Sequence, residues 1–241
     1  MIELDDVLVT AYAPDPEGGA DQVVRLLGPV SLTLTERRIA IIGANGSGKS
    51  TLARLLNGLV LPASGTVRVD GLDTASDGRA VRRRVGFVFT NPDAQIVMPT
   101  PLEDVALSLR RSELSAEQRD AAARQALERF GLGDRAEVPA HALSGGQRQL
   151  LALASVLAVE PDVLVCDEPT TLLDLRWRSV VDDLLAELPQ QVVVVTHDLD
   201  AAARAERVIV VDEGLVVFDG DPAAAVAHYR ALMSARVRAG R

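Results

Sequence analysis

Residues 37–59 read RRIAIIGANGSGKSTLARLLNGL, and their order decides the fold. Residues 39–42 form an apolar run that stops at Gly43. Gly43, Gly46 and Gly48 fall close together, and Lys49, Ser50 and Thr51 follow at once. Leu52, Leu55, Leu56 and Leu59 come next at helical spacing. Strand, glycine loop and helix are the setting in which the pattern G-x-x-x-x-G-K-S carries chemistry. Gly43, Ala44, Asn45, Gly46, Ser47, Gly48, Lys49 and Ser50 fill that pattern in full. The glycines let backbone N–H groups turn toward a polyanion, and the helix N-terminus adds partial positive charge. Lys49 is then placed to reach the β- and γ-phosphates of a nucleotide, and Ser50 to coordinate Mg²⁺.

Working outward, the opening of the chain predicts short strands around a Pro/Gly/Asp-rich loop at residues 13–22. SGTVRVDG (64–71) and RRVGFVF (83–89) are further strand candidates. From residue 114 the period changes. Ser115 and Gln118 stand in capping-box relation, Ala123, Ala126, Leu127 and Phe130 share a face, and Gly131 closes the helix. A second helix follows LSGGQRQ (143–149), with Leu150, Leu153, Ala154 and Leu157 on one side. Three apolar runs, DVLVCDEP (162–169), QVVVVTHD (191–198) and RVIVVDEG (207–214), end in acidic or polar residues. Alternating with helices, they predict a parallel sheet covered on both faces. The last run leads into a hairpin turning at Asp212-Glu213-Gly214. The final turn is basic (Arg230, Arg236, Arg238, Arg241), and a solvated helix end is expected there.

Composition excludes several classes. At 241 residues the chain holds one large domain or two small ones, with a full core. Aromatics are only 3%, so the core is aliphatic and base-stacking platforms are not expected. A net charge of −9 argues against nucleic acid as a partner, because that affinity comes from neutralising phosphates. The lone cysteine, Cys166, lies in an apolar run and reads as a small buried hydrophobe. The acidic start MIELDDVLVT lacks the pattern of a signal peptide. The best apolar run, LLALASVLAV (150–159), stops at Glu160-Pro161-Asp162, short of the ~18 residues a membrane helix needs.

Two further groups carry chemistry. Asp167 and Glu168 end an apolar strand, where ligands of open α/β sheets bind. Asp167 is suited to hold Mg²⁺ and Glu168 to polarise an attacking water, and His197 is delivered to the same kind of edge. LSGGQ has glycines and a following helix but no cation, as if half of a phosphate site had been left out.

In their order and spacing, GANGSGKS, LSGGQ, VLVCDEP, TTLLD and VTHD resemble an ATP-binding cassette (ABC) ATPase over roughly residues 2–220. The resemblance implies an α/β fold. Its phosphate-loop, RecA-like core has a mostly parallel sheet, joined by an antiparallel β lobe and an α-helical lobe at about residues 93–158. One cassette would span residues 1–241, ending in a short basic helix at about 221–241. The implied cofactors are ATP and Mg²⁺. The family works as head-to-tail dimers, here of two identical chains or of this chain with a related ATPase. Each ATP lies between the phosphate loop of one subunit and the LSGGQ of the other. Ser144, Gly145, Gly146 and Gln147 would thus cap a phosphate held by the partner subunit's Lys49. Tyr12 matches an aromatic that stacks on adenine, and Asp174 the loop that links the two sites. Glu168 matches the catalytic carboxylate, and His197 the histidine that holds the γ-phosphate and water.

Thr90 departs from the pattern, since the family has a glutamine there that contacts Mg²⁺ and water. Either Thr90 works through a bridging water, or Gln95 takes the glutamine's part. NPDAQIVMPT, EDVALSL and EPTTLLDLR resemble the energy-coupling factor importers of vitamins, cobalt and nickel, most closely the biotin branch. That implies an integral membrane coupling subunit and a substrate-binding membrane subunit as partners, at the cytoplasmic face of the cell membrane. Ile96, Val97, Met98 and Leu102 would form either the docking surface or the core of the helical lobe. The competing reading is a soluble ABC ATPase serving DNA, ribosomes or iron–sulfur assembly. A single cassette without sustained heptads weighs against it.

Overall fold

A computed structural model describes residues 1–14, 21–238 and 240. Most of the loop expected at residues 13–22, and Arg241, lie outside the described residues. In chain order the elements begin with β1 (Ile2–Ala13), β2 (Gln22–Leu34), β3 (Arg38–Ile42), α1 (Lys49–Leu55), β4 (Ser64–Val69), β5 (Leu72–Asp73) and α2 (Gly78–Arg84). There follow β6 (Val85–Val88), α3 (Pro101–Ser108), α4 (Ala116–Arg129), α5 (Gly145–Leu157), β7 (Val163–Asp167) and α6 (Leu175–Glu187). The chain ends with β8 (Gln191–Val195), α7 (Leu199–Ala202), β9 (Arg207–Asp212), β10 (Leu215–Gly220) and α8 (Pro222–Arg238). Two compact units result: Met1–Arg82 with Gln191–Arg241, and Arg83–Gln190.

The first unit holds an antiparallel sheet of order β2-β1-β4-β5. Its first two strands run 12 and 13 residues, where short strands were expected. The difference is physical. Ile2, Leu4, Val7 and Val9 on β1 and Leu27, Val30, Leu32 and Leu34 on β2 are all buried, so pairing continues for as long as both strands keep an inward face. Register shifts after Leu4, Val7 and Val9 absorb the broken alternation. In the same unit β3 pairs in parallel with both β8 and β9, and β10 returns antiparallel to β9, as the hairpin at Asp212-Glu213-Gly214 predicted. Ala40 and Ile42 of β3 pack with Ala202, Val208, Val210 and Ala225, which seats α7 and α8 on this sheet.

The second unit pairs β6 with β7 in parallel. All five residues of β7 are buried, as a strand covered on both faces requires. Cys166 is among them, and burial, with the neighbouring Asp167 charge, pushes its thiol well above the usual range, so it is inert packing as expected. Helices α3, α4 and α5 each open with a complete capping box, formed by Thr100 and Glu103, Ser115 and Gln118, and Ser144 and Gln147. They occupy the stretch expected to be helical, and the compact unit takes in β6, β7 and α6 as well. Among the described residues no helix is long and apolar enough to cross a membrane.

Among the described residues of the basic chain end, Arg230 and Arg238 are exposed, as a solvated helix end requires, and Arg236 alone departs. Arg236 does not stand in solvent: its Nη2 lies 2.7 Å from Asp212 and 2.8 Å from Glu213. The β9–β10 turn presents two carboxylates to the last helix, and pairing with them outweighs hydration.

Candidate active site

In the first unit, β3 runs straight into the glycine loop and α1 leaves it. Gly43, Gly46 and Gly48 all have positive φ, at 154°, 76° and 102°, which frees the backbone to turn its N–H groups one way. At Gly43 a side chain is also excluded by space, since a Cβ would lie 2.0 Å from the Val211 carbonyl oxygen. Ser47 is 4% exposed, and its hydroxyl is buried without a hydrogen-bond partner. An orphaned buried hydroxyl in a glycine loop that opens a helix fits a phosphate oxygen, while the Ser47 N–H donates within the loop to the Ala44 carbonyl at 3.2 Å. Lys49 is buried, and its Nζ donates to the Ala44 carbonyl at 2.8 Å, folded over its own loop. Ser50 and Thr51 follow in the first turn of α1, both half-buried.

His197 lies just past the end of β8. Val195 of that strand is in register with Ile41 of β3, and the Thr196 N–H donates to the Ile41 carbonyl at 3.0 Å. The histidine is exposed at the same strand edge from which the glycine loop rises. Asp198 behind it caps α7 by accepting from the N–H groups of Asp200 and Ala201, which fixes the turn that presents the histidine. Tyr12, paired with Val23 near the far end of the β1–β2 hairpin, is 78% exposed. An exposed ring on a strand is available for stacking and does not serve as core.

In the second unit, β6 and β7 end side by side. Asp167 is 2% exposed, and its backbone carbonyl accepts the Thr90 hydroxyl at 2.8 Å. Glu168 sits at φ 51°, a left-handed conformation rare for a non-glycine residue, and its Oε2 accepts from the Thr171 hydroxyl at 2.8 Å. Asp6, Asp70, Glu160 and Glu213 share this conformation, so the backbone alone does not single Glu168 out. Gln95 is used as a strut. Its Oε1 accepts from the Phe89 N–H at 3.2 Å and its Nε2 donates to the Ala152 carbonyl at 3.3 Å, tying the exit of β6 to α5. Both polar groups of the Gln95 amide are thus engaged within the unit. Gln95→Ala is accordingly expected to destabilise the fold by about 1–2 kcal/mol, since it strips a half-buried amide of its partner. A thermal melt reads this as a midpoint fall of about 2–4 °C per kcal/mol.

The LSGGQ segment starts α5. Ser144 Oγ accepts from the Gln147 N–H at 3.3 Å, and Gln147 Oε1 accepts from the Ser144 N–H at 2.9 Å. The serine keeps its O–H to donate elsewhere. Ser144 and Gly145 are exposed, and first-turn amides of a helix lack intrahelical partners, so this end offers an anion-binding surface. The second glycine, Gly146, is buried against Trp177, a contact that sequence reasoning missed. A Cβ there would lie 2.2 Å from the indole. Asp174 caps α6 by accepting from the Trp177 N–H at 2.9 Å, so it is joined through one residue to the start of α5. A glycine pair followed by a lone tryptophan 31 residues on carries no local signal of contact.

Among the described residues no three His, Cys, Asp or Glu side chains gather into a metal centre. Each unit by itself offers an oxygen donor of the kind Mg²⁺ takes, the Ser50 hydroxyl at the start of α1 in the first and the Asp167 carboxylate at the end of β7 in the second.

The family description "ABC transporter" matches residues 27–171. A putative ABC transporter ATP-binding protein of Deinococcus radiodurans is 54% identical over 209 residues, 87% of this chain and 92% of that protein. The biotin transport ATP-binding protein BioM of Rhizobium etli is 47% identical over 204 residues, 85% of this chain and 91% of that one. Among solved structures, the dimeric post-hydrolysis state of the ATP-binding cassette MJ0796 with ADP and Pi superimposes with TM-score 0.78 at 31% identity, covering 92% of this chain and 99% of that one. With the phosphate loop, the strand-end carboxylates and the LSGGQ helix already in place, this chain belongs to the ATP-binding, ATP-hydrolysing subunits of the ABC transporter family.

Proposed function

We propose that this chain powers a membrane importer of the energy-coupling type, working as a head-to-tail dimer, with biotin the favoured solute. The observation that carries the reading is that one chain presents the full G-x-x-x-x-G-K-S loop and, on a separate helix, an exposed glycine N-terminus at Ser144 and Gly145 that has no loop lysine of its own. Such halves complement each other between two subunits. In this reading Lys49 and the loop amides hold the β- and γ-phosphates, Tyr12 stacks on the base, and Ser144 with Gly145 donates to the γ-phosphate held by the other subunit. Ser50 and Asp167 are the residues that would hold Mg²⁺, and Thr90 donates its hydroxyl to the Asp167 carbonyl. The ion, when bound, neutralises charge that develops on the transferred phosphoryl group. Glu168 takes the proton of the attacking water, and His197 donates to the γ-phosphate. Similarity to the biotin transport protein of Rhizobium etli supports the solute, and the dimeric MJ0796 cassette supports the dimer.

The docking side is supported by the second unit. A cavity of about 340 Å³ is lined by Asp93, Ile96, Val97, Met98, His141 and Arg148, among others. Of the four apolar residues singled out from sequence, Leu102 is core and Val97 is 68% exposed. Asp104, buried in α3, holds the loop by accepting from the N–H groups of Val97 and Met98, and it accepts from the Ser155 hydroxyl. Arg148 pairs with Asp93 at 2.9 Å at the rim. An apolar floor with a charged rim suits a helix of a membrane subunit.

The test is affinity purification of the tagged chain from detergent-solubilised membranes, with identification of what accompanies it. A polytopic coupling subunit and a small solute-binding membrane protein are expected, along with ATP-dependent uptake of labelled biotin by intact cells. Recovery from the soluble fraction with ribosomes or DNA would instead favour a soluble ATPase.

A further inference from the structure

The turn between β9 and β10 stands behind the phosphate loop. The Gly214 N–H donates to the Ser47 carbonyl at 2.9 Å, and the Gly214 carbonyl accepts from the Gly28 N–H at 2.7 Å. On the same side the Val211 carbonyl is pressed against Gly43. The loop that is to receive a triphosphate is thus fastened to a turn whose two other residues, Asp212 and Glu213, are acidic. Negative charge beside an anion site opposes binding, and most strongly where water is excluded; Asp212 is only 7% exposed.

Arg236 answers that charge. Its Nη2 bridges Asp212 Oδ2 at 2.7 Å and Glu213 Oε1 at 2.8 Å. The helix carrying it is held by Ala225 in the core, with Tyr229 packed alongside. Asp212 Oδ1 is buried without a hydrogen-bond partner, so this carboxylate leans on the guanidinium at its other oxygen.

We infer that Arg236 is a positioning residue for the nucleotide, neutralising the acidic turn and holding it so that the Ser47 carbonyl and the loop amides keep their phosphate-accepting shape. The C-terminal helix thereby sets the ATP affinity of a loop far from it in sequence, and anything that pulls α8 away lowers that affinity. The inference rests on ATP binding at residues 43–51.

The experiment compares full-length wild type, Arg236→Gln and Arg236→Lys in Mg-ATP binding and steady-state hydrolysis. Arg236 is 31% exposed, and glutamine keeps polarity and part of the stem, so the fold is retained; the melting midpoint without nucleotide verifies this. R236Q is expected to raise Kd and KM for Mg-ATP about tenfold with kcat within about twofold, and the gap narrows in high salt. R236K, which keeps the cation, is expected to stay within about threefold of wild type. R236Q binding Mg-ATP as tightly as wild type, losing kcat at unchanged KM, or being matched in weakness by R236K overturns the inference. Wild type failing to bind Mg-ATP would instead strike at the reading of the phosphate loop itself.

Discussion

Glu168→Gln is expected to cut ATP turnover by about 10³-fold while leaving Mg-ATP affinity within about twofold. The amide has nearly the shape of the carboxylate. It can still accept from the Thr171 hydroxyl, now 2.8 Å from Oε2, and it leaves the φ of 51° as it is. What it lacks is the basicity to take a proton from water. A general base contributes about 10²–10⁴ in rate, so the loss falls on kcat. Closure of the dimer depends on ATP contacts and not on the proton, so E168Q should also collect as an ATP-bound dimer in size-exclusion chromatography. Phosphate release read alongside elution volume checks both. Hydrolysis by E168Q at more than a tenth of the wild-type rate would show that Glu168 is not the base.

The second large effect concerns one methyl group. Gly146→Ala is expected to lower turnover by about 100-fold and to abolish ATP-driven dimerisation, with ATP affinity of the isolated chain unchanged. A Cβ at this position would lie 2.2 Å from two atoms of the Trp177 ring, so either the first turn of α5 shifts or the indole is expelled. A shift moves Ser144 and Gly145 off the phosphate they are to meet, and misplacement by about 1 Å can cost 10²-fold. Gly145 is the control. A Cβ there meets nothing within 4 Å, so G145A should leave the isolated chain's fold and melting point unchanged. The double variant G146A/W177L makes room for the methyl and should recover at least tenfold of the lost rate. Trp177 is the chain's only tryptophan, so its emission reports the displacement in G146A directly. Wild-type turnover in G146A would refute the steric argument.

Much of the site is legible because its chemistry is local. The phosphate loop is eight consecutive residues between a strand and a helix. The capping box at Ser115/Gln118 spans four residues, and Asp167 and Glu168 end a run of apolar residues whose burial is written in composition. Hydrogen bonds within a turn and the period of a strand are short-range, so spacing alone determines them. Gln95 shows the limit. Its sequence position suggests a substitute for the missing glutamine, yet its amide spans from Phe89 to Ala152, a strand exit and a helix that meet only after packing.

The sequence by itself determined the cassette, the order of its motifs and the chemical type of each functional side chain. Tertiary structure decided the long β1–β2 pairing, the indole that forbids any side chain at Gly146, and the grip of Arg236 on the turn behind Ser47. Each of these joins residues distant along the chain, and their meeting depends on which faces the whole set of strands and helices must bury, a condition that no single stretch of sequence contains.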